Sequence, residues 1–151
     1  MPFQKNMINS IIEESRKYLY EQPWIEFKHN NCDPQEIGEN ISALSNTAAL
    51  FNQEHAFLIW GIHDKTHEIV GTSFVPQETK VGNQGLELWI STQLDPQIQF
   101  YFHATEIGGK PLVLLEIADG EGVGVVRAGR RNERFQEQGA RGSSSFRDGG
   151  A

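Results

Sequence analysis

Residues 56–62, Ala-Phe-Leu-Ile-Trp-Gly-Ile, decide the fold of this chain. The first five of them form a continuous apolar run that is too short for a helix and has the length of a strand buried on both faces. Such a strand lies inside a sheet, with other elements packed against both sides. We therefore predict a central strand at residues 56–62.

A second strand is predicted upstream, at residues 24–29, from the alternation of apolar and polar residues. Ile25 and Phe27 fall on one face of this strand, and Glu26 and Lys28 fall on the other face together with Trp24. The segment is the expected sheet neighbour of the central strand. Glu26 and Lys28 are therefore expected to point the same way.

Two helices are predicted around this second strand. Residues 5–20 place apolar side chains, including Tyr18, at spacings of three and four residues, as in an amphipathic helix. Asp33 and Pro34 are a good N-cap and first-turn pair for the other helix. Its apolar positions at helical spacing are Ile37, Ile41, Leu44, Ala48 and Phe51.

Downstream of the central strand, a polar turn at residues 63–67 precedes a predicted returning strand at 68–72. Residues 86–94 are predicted to be helical. Residues 97–106 and 111–117 are predicted strands joined by a tight turn, because the glycines between them accept positive φ angles. Together these elements predict an α+β fold, with a small mixed, mainly antiparallel sheet packed with two or three helices.

Charge divides the chain into an acidic body and a basic end. Residues 1–126 carry a net charge of −10, and residues 127–151 carry +3, within a total of −7. An acidic body repels phosphate, so a nucleic-acid partner requires a local basic patch or bound cations. Cys32 is the only cysteine, which excludes an internal disulfide and favours a reducing compartment. With no signal peptide or membrane-length apolar run at the sequence level, a cytoplasmic protein without membrane contact is expected.

The composition changes after residue 118, and we predict a domain at 1–118 followed by a Gly/Arg-rich tail at 119–151. The tail has too few apolar residues to offset its ordering entropy. One interpretation is a flexible arginine-rich segment that binds nucleic acid. The other is a disordered or non-native end, and a shifted reading frame or a truncated gene is one hypothesis for its origin.

Four charged residues are candidates for chemistry: Glu21, Glu26, Lys28 and Asp64. Glu21, Glu26 and Lys28 lie in or near the predicted strand at residues 24–29, and Asp64 follows the central strand. Carboxylate oxygens are the ligands of Mg²⁺ and Mn²⁺, and such a cation stabilises the charge that develops on a phosphodiester during cleavage. The alternative is that Glu26 and Lys28 form a surface ion pair worth about 0 to 1 kcal/mol, while Glu21 and Asp64 are turn residues.

Four short segments follow one another along the chain. They are Glu-Gln-Pro-Trp-Ile-Glu-Phe-Lys (21–28), Ile-Ser-Ala-Leu-Ser-Asn-Thr (41–47), Ile-Trp-Gly-Ile-His-Asp (59–64) and Ile-Val-Gly (69–71). Their order and intervals resemble the Schlafen AlbA-type domain over residues 20–118. That family usually has two glycines where this chain has Ala48 and Ala49, so we expect a different backbone turn before the central strand.

The resemblance implies a function in nucleic-acid handling. In bacteria and archaea the domain is usually described as a DNA-binding or RNA-binding module of transcriptional regulators and ATP-binding proteins, and in animal Schlafen proteins it forms an RNA-cleaving core. Glu21, Glu26 and Asp64 match the three acidic positions of that nuclease centre, which implies Mg²⁺ or Mn²⁺ as cofactor. Lys28 matches the adjacent lysine.

Three functions therefore stay open from the sequence. The first is a nucleic-acid-binding domain of a transcriptional-regulator-like protein. The second is a metal-dependent endoribonuclease that acts on structured RNA. The third, favoured by the acidic body, is a protein-interaction domain or a homo-oligomer. His63 and His67 have a spacing that could bind metal on a helix, but the residues between them are typical of a turn.

Overall fold

A computed structural model describes residues 4–18, 22–95 and 97–118 of the chain. Three α-helices are present in this part: α1 (Lys5–Arg16), α2 (Pro34–Leu50) and α3 (Leu86–Gln93). The strands are β1 (Ile25–Lys28), β2 (His55–Trp60), β3 (Lys80–Val81), β4 (Gln84–Gly85), β5 (Phe100–Ile107) and β6 (Lys110–Ala118). A short 3₁₀ helix spans Pro76–Glu78.

Four of the strands form one mixed sheet in the order β1-β2-β6-β5. β1 runs parallel to β2, while β6 is antiparallel to both β2 and β5. β3 and β4 form a separate two-stranded hairpin. The predicted α+β fold with a small, mainly antiparallel sheet and three helices is confirmed.

The central strand β2 is covered on both faces, as predicted from its apolar run. Leu58 and Trp60 belong to a core beneath α2 and α3, and Ile59 belongs to a second core beneath α1. All three side chains are fully buried. Burial on both faces explains why this strand has no apolar-polar alternation.

α2 begins where the sequence predicted. The Asp33 carboxylate accepts a hydrogen bond from the backbone N–H of Glu36 over 3.0 Å, which caps the helix. The helix continues through both alanines at 48 and 49, and Asn52 then adopts a φ of 57° in the turn before β2. Phe51, the last of the apolar positions predicted at helical spacing, lies just beyond the end of the helix and is exposed.

Several predicted boundaries are wrong. Residues 68–72 form no strand but only an isolated bridge between Ile62 and Ile69, because His67 and Gly71 adopt positive φ angles that interrupt an extended chain. α1 ends at Arg16, which leaves Tyr18 exposed. The strand predicted from residue 97 begins at Phe100, and the β3–β4 hairpin was not predicted at all.

The tight turn between β5 and β6 is confirmed, with Gly108 and Gly109 at φ angles of 60° and 81°. No helix in the part of the chain that the structure describes is long and apolar enough to cross a membrane. The predicted tail at residues 119–151 lies outside the described residues.

Candidate functional site

The parallel pairing of β1 and β2 creates the candidate site. Lys28 is paired with Trp60 in the sheet, so the two strands end at the same edge. The backbone carbonyl of Lys28 also accepts hydrogen bonds from the N–H groups of Gly61, over 2.7 Å, and Ile62, over 3.2 Å. The segments that follow the two strands therefore lie side by side, although they are more than 30 residues apart in the chain.

A cleft of about 350 Å³ lies between these two segments. It is lined by Glu26, Phe27, Lys28, His29, Asn30, Asn31, His63 and Asp64. Three of the four residues proposed from the sequence, Glu26, Lys28 and Asp64, thus share one cleft. Glu21 lies outside the described residues, so its place in the site stays a prediction.

Lys28 is the least exposed of the charged side chains in the cleft. Its Nζ lies 3.7 Å from Oε2 of Glu26, and its side chain is 12% exposed against 38% for Glu26. The predicted common direction of these two side chains is therefore confirmed. Together with Asp64, the described residues that line the cleft carry two carboxylates and one ammonium, a net charge of −1. That charge opposes a phosphodiester unless a cation is bound with it.

Two asparagines connect the segment after β1 to the rest of the fold. Oδ1 of Asn30 accepts hydrogen bonds from the hydroxyl of Thr72, over 2.8 Å, and from the backbone N–H of Ser73, over 2.9 Å. The backbone carbonyl of Asn31 accepts from the indole Nε1 of Trp60 over 2.7 Å. The wall of the cleft formed by residues 29–31 is thereby held by two buried residues, Thr72 and Trp60, and by the backbone of the exposed Ser73.

The opposite wall, formed by His63 and Asp64, belongs to a loop at residues 63–67 that α1 supports. His67 is only 6% exposed, adopts a φ of 64°, and packs edge-on against the ring of Phe27 with centroids 4.7 Å apart. Its carbonyl accepts a hydrogen bond from Nε of Arg16 over 2.7 Å. A non-glycine residue in the left-handed region is strained, and these contacts compensate for that strain.

The carboxylates of Glu26 and Asp64 are the candidate ligands for a divalent cation among the described residues of the cleft. No group of three or more His, Cys, Asp or Glu that could hold a metal ion occurs within residues 4–18, 22–95 and 97–118. Mg²⁺ is commonly bound by one or two carboxylates together with the phosphates of its substrate. Glu26 and Asp64 satisfy that minimum, and Glu21 is the predicted third ligand.

The sequence did not place four of the cleft-lining residues at this site: His29, Asn30, Asn31 and His63, the last of which was considered only as a metal ligand together with His67. Each directly follows the end of β1 or lies just beyond β2. Residues at the carboxyl ends of neighbouring parallel strands meet at one edge, and ligands commonly bind there. That rule would have found them if the parallel pairing had been predicted.

A second polar cluster lies at the opposite end of β2. The carboxylate of Glu116 is 1% exposed, with Oε1 2.9 Å from Nε2 of His103 and Oε2 3.4 Å from Nδ1 of His55. A carboxylate can only accept, so Nε2 of His103 donates. This cluster compensates a buried charge within the sheet and is separate from the cleft.

Comparison with protein-family models matches residues 21–149 to the family described as Schlafen, AlbA_2. The matched range includes every cleft residue and extends beyond residue 118, the predicted end of the domain. A search of curated proteins gave no match.

Proposed function

The chain belongs to the Schlafen, AlbA_2 family, and on that premise we propose that it is the nucleic-acid-binding domain of a transcriptional-regulator-like protein. The observation that carries the proposal is the cleft between residues 29–31 and residues 63–64. Lys28, His29 and two asparagines bring hydrogen-bond donors to one edge of the sheet. Side chains of these types contact phosphate and sugar in nucleic-acid complexes.

The charge of the cleft specifies the conditions for binding. Because Glu26, Lys28 and Asp64 sum to −1, and the folded body is acidic, binding at low salt is expected to strengthen when Mg²⁺ or Mn²⁺ is added. The measurement is a titration of labelled transfer RNA and duplex DNA at low and high salt, with and without the cation. Stronger binding to transfer RNA or to duplex DNA identifies the preferred class of nucleic acid.

Lys28→Gln is the variant that tests the cleft, and Lys80→Gln, at the exposed position of β3, is its matched control. Lys28→Gln is expected to weaken binding by roughly tenfold, as for the loss of one charge-assisted hydrogen bond, and Lys80→Gln to leave binding unchanged. Equal effects of the two variants would contradict the cleft as the contact surface. No binding of either nucleic acid at low salt with cation present would overturn the function and favour the protein-interaction alternative.

A second candidate function is favoured by the shared position of Glu26, Lys28 and Asp64. These residues fit a metal-dependent endoribonuclease in which Glu26 and Asp64, with Glu21 as the predicted third ligand, would hold Mg²⁺ or Mn²⁺. The bound cation would stabilise the charge that develops on the phosphodiester. Lys28, largely buried beside Glu26, would contribute a positive charge fixed in the cleft.

The endoribonuclease candidate is tested by incubating transfer RNA with the protein and Mn²⁺. Glu26→Gln and Asp64→Asn are expected to lower the cleavage rate by roughly 100-fold or more, since a catalytic cation contributes several kcal/mol. Glu68→Gln, an exposed acid on the same loop as Asp64, is the control and should cleave like the parent chain. Cleavage that persists in Glu26→Gln would exclude this centre and leave the binding function intact.

A further inference from the structure

His63 has a tautomer that is determined by its own loop. Its Nδ1 accepts hydrogen bonds from the backbone N–H of Lys65, over 3.1 Å, and of Thr66, over 3.2 Å. A backbone N–H can only donate, so Nδ1 must present its lone pair. In the neutral ring the proton is therefore on Nε2, which is a hydrogen-bond donor.

The same ring is accessible at the cleft. The side chain of His63 is 47% exposed and lines the cleft together with Lys28 and the asparagines. The loop that holds Nδ1 is itself closed by hydrogen bonds between His63 N–H and the Glu68 carbonyl, over 2.9 Å, and between His67 N–H and the His63 carbonyl, over 2.8 Å. The donor is thus carried by a backbone of defined geometry, so little side-chain entropy is lost on binding.

Resting on the proposed nucleic-acid-binding function, we propose that His63 donates a hydrogen bond from Nε2 to a phosphate oxygen of the bound strand. A phosphate oxygen is an acceptor only, which matches a ring nitrogen that can only donate. The contact leaves Lys28 and the carboxylates free to act on the same strand. His63 is a positioning residue in this assignment, because it orients the strand relative to Glu26 and Asp64.

Two substitutions separate the two ring nitrogens. His63→Asn places Oδ1 near the position of Nδ1, where it accepts from the amides two and three residues later as in an Asx turn, but its amide nitrogen is closer to the backbone than Nε2. His63→Gln instead carries an amide N–H near the position of Nε2. His63→Asn therefore keeps the acceptor that closes the loop and removes the donor near Nε2. His63→Gln keeps that donor.

The experiment is the transfer RNA titration at low salt with Mn²⁺, performed on the full chain. We expect His63→Asn to weaken binding by roughly tenfold, the effect of losing one hydrogen bond to a charged acceptor, and His63→Gln to stay within about threefold of the parent chain. Thermal unfolding should show His63→Asn to be folded. A long-range ¹H–¹⁵N spectrum, recorded with Mg²⁺, should report the Nε2–H tautomer in the free protein and a shift of Nε2 when RNA is added.

The outcomes distinguish a failure of the assignment of His63 from a failure of the proposed nucleic-acid-binding function. Parent-like binding by His63→Asn, or a ring protonated on Nδ1 alone, would overturn the assignment of His63 and leave the proposed function standing. Equal losses in both variants would also overturn it, since the loss of binding would then not follow the presence of the N–H donor near the position of Nε2. Failure of the parent chain to bind RNA would overturn the function and this inference together.

Discussion

The indole Nε1 of Trp60 donates a hydrogen bond to the backbone carbonyl of Asn31 over 2.7 Å, so the last residue of the central strand holds one wall of the cleft. Trp60 is fully buried. Trp60→Phe removes this hydrogen bond and leaves unfilled volume, so the free energy of unfolding is expected to fall by about 2 to 3 kcal/mol. Urea denaturation measures the loss. Trp24→Phe, which trims a half-buried indole, should cost clearly less.

Gly61 connects the central strand to the site, and it has no room for a side chain. Its φ is 103°, and a Cβ atom would lie 2.5 Å from Cδ2 of Leu112 and 3.2 Å from the carbonyl oxygen of Pro111. Gly61→Ala is therefore expected to destabilise the fold by about 2 to 4 kcal/mol. Gly82→Ala, also at positive φ but with open space around it, should cost only about 1 kcal/mol. Similar losses for both variants would refute the steric argument.

The hydrogen bond from Arg16 to the carbonyl of His67 supports the loop that carries Asp64. Arg16→Met keeps the aliphatic contact but removes this donor together with the ion pair to Glu13, and is expected to lower the free energy of unfolding by about 1 to 2 kcal/mol. Lys17→Met is the matched control, because Lys17 forms only an exposed ion pair with Glu14. Thermal denaturation of both variants decides whether α1 supports the loop.

Glu116 is a buried carboxylate whose partners are histidines. Glu116→Gln keeps the volume and converts a charge-assisted hydrogen bond with His103 into a neutral one, so we expect a loss of about 1 to 3 kcal/mol. Glu106→Gln, on the exposed side of β5, should change stability by less than about 0.5 kcal/mol. The two variants are compared by urea denaturation at the same pH, and equal stabilities would show that Glu116 contributes no net stabilisation.

Burial raises the pKa of the Cys32 thiol, and the neighbouring Asp33 carboxylate raises it further. The thiolate is the reactive form, so alkylation of the native protein by iodoacetamide near pH 8 should be slower than alkylation of the chain unfolded in urea. Since the folded pKa is above the unfolded one, the associated stability is present below the unfolded pKa and is lost as pH rises through the folded pKa. Faster alkylation of the native state would contradict this prediction.

Elements with a strong local pattern were predictable from the sequence. The cap at Asp33, the alternation around Phe27 and the apolar run before Gly61 each depend on neighbours in the chain, so α2, β1 and β2 were predicted close to their observed positions. The loops were predicted less well. Residues 68–72 have strand-like composition, but the positive φ of His67 depends on contacts with α1 and β1 that no local window contains.

The candidate site was predicted in part for the same reason. Glu26 and Lys28 were placed on one face by strand periodicity, and Asp64 was placed beyond the central strand. The wall formed by residues 29–31 was not predicted, because the hydrogen bonds that hold it join residues far apart in the chain. Asn30 and Thr72, for example, are 42 residues apart. Residues that follow the end of a strand have no regular spacing of apolar and polar side chains, so the sequence pattern does not predict where they point.

The sequence by itself determined the helices, the buried central strand and the direction of Glu26 relative to Lys28, because each of these follows from spacing along a few residues. Only the tertiary structure decided that β1 and β2 run parallel, and therefore that Asp64 and His63 join Lys28 at one edge of the sheet. β1 and β2 are joined through α2, which packs on β2 and β6, and the parallel pairing depends on this packing between residues far apart in the chain.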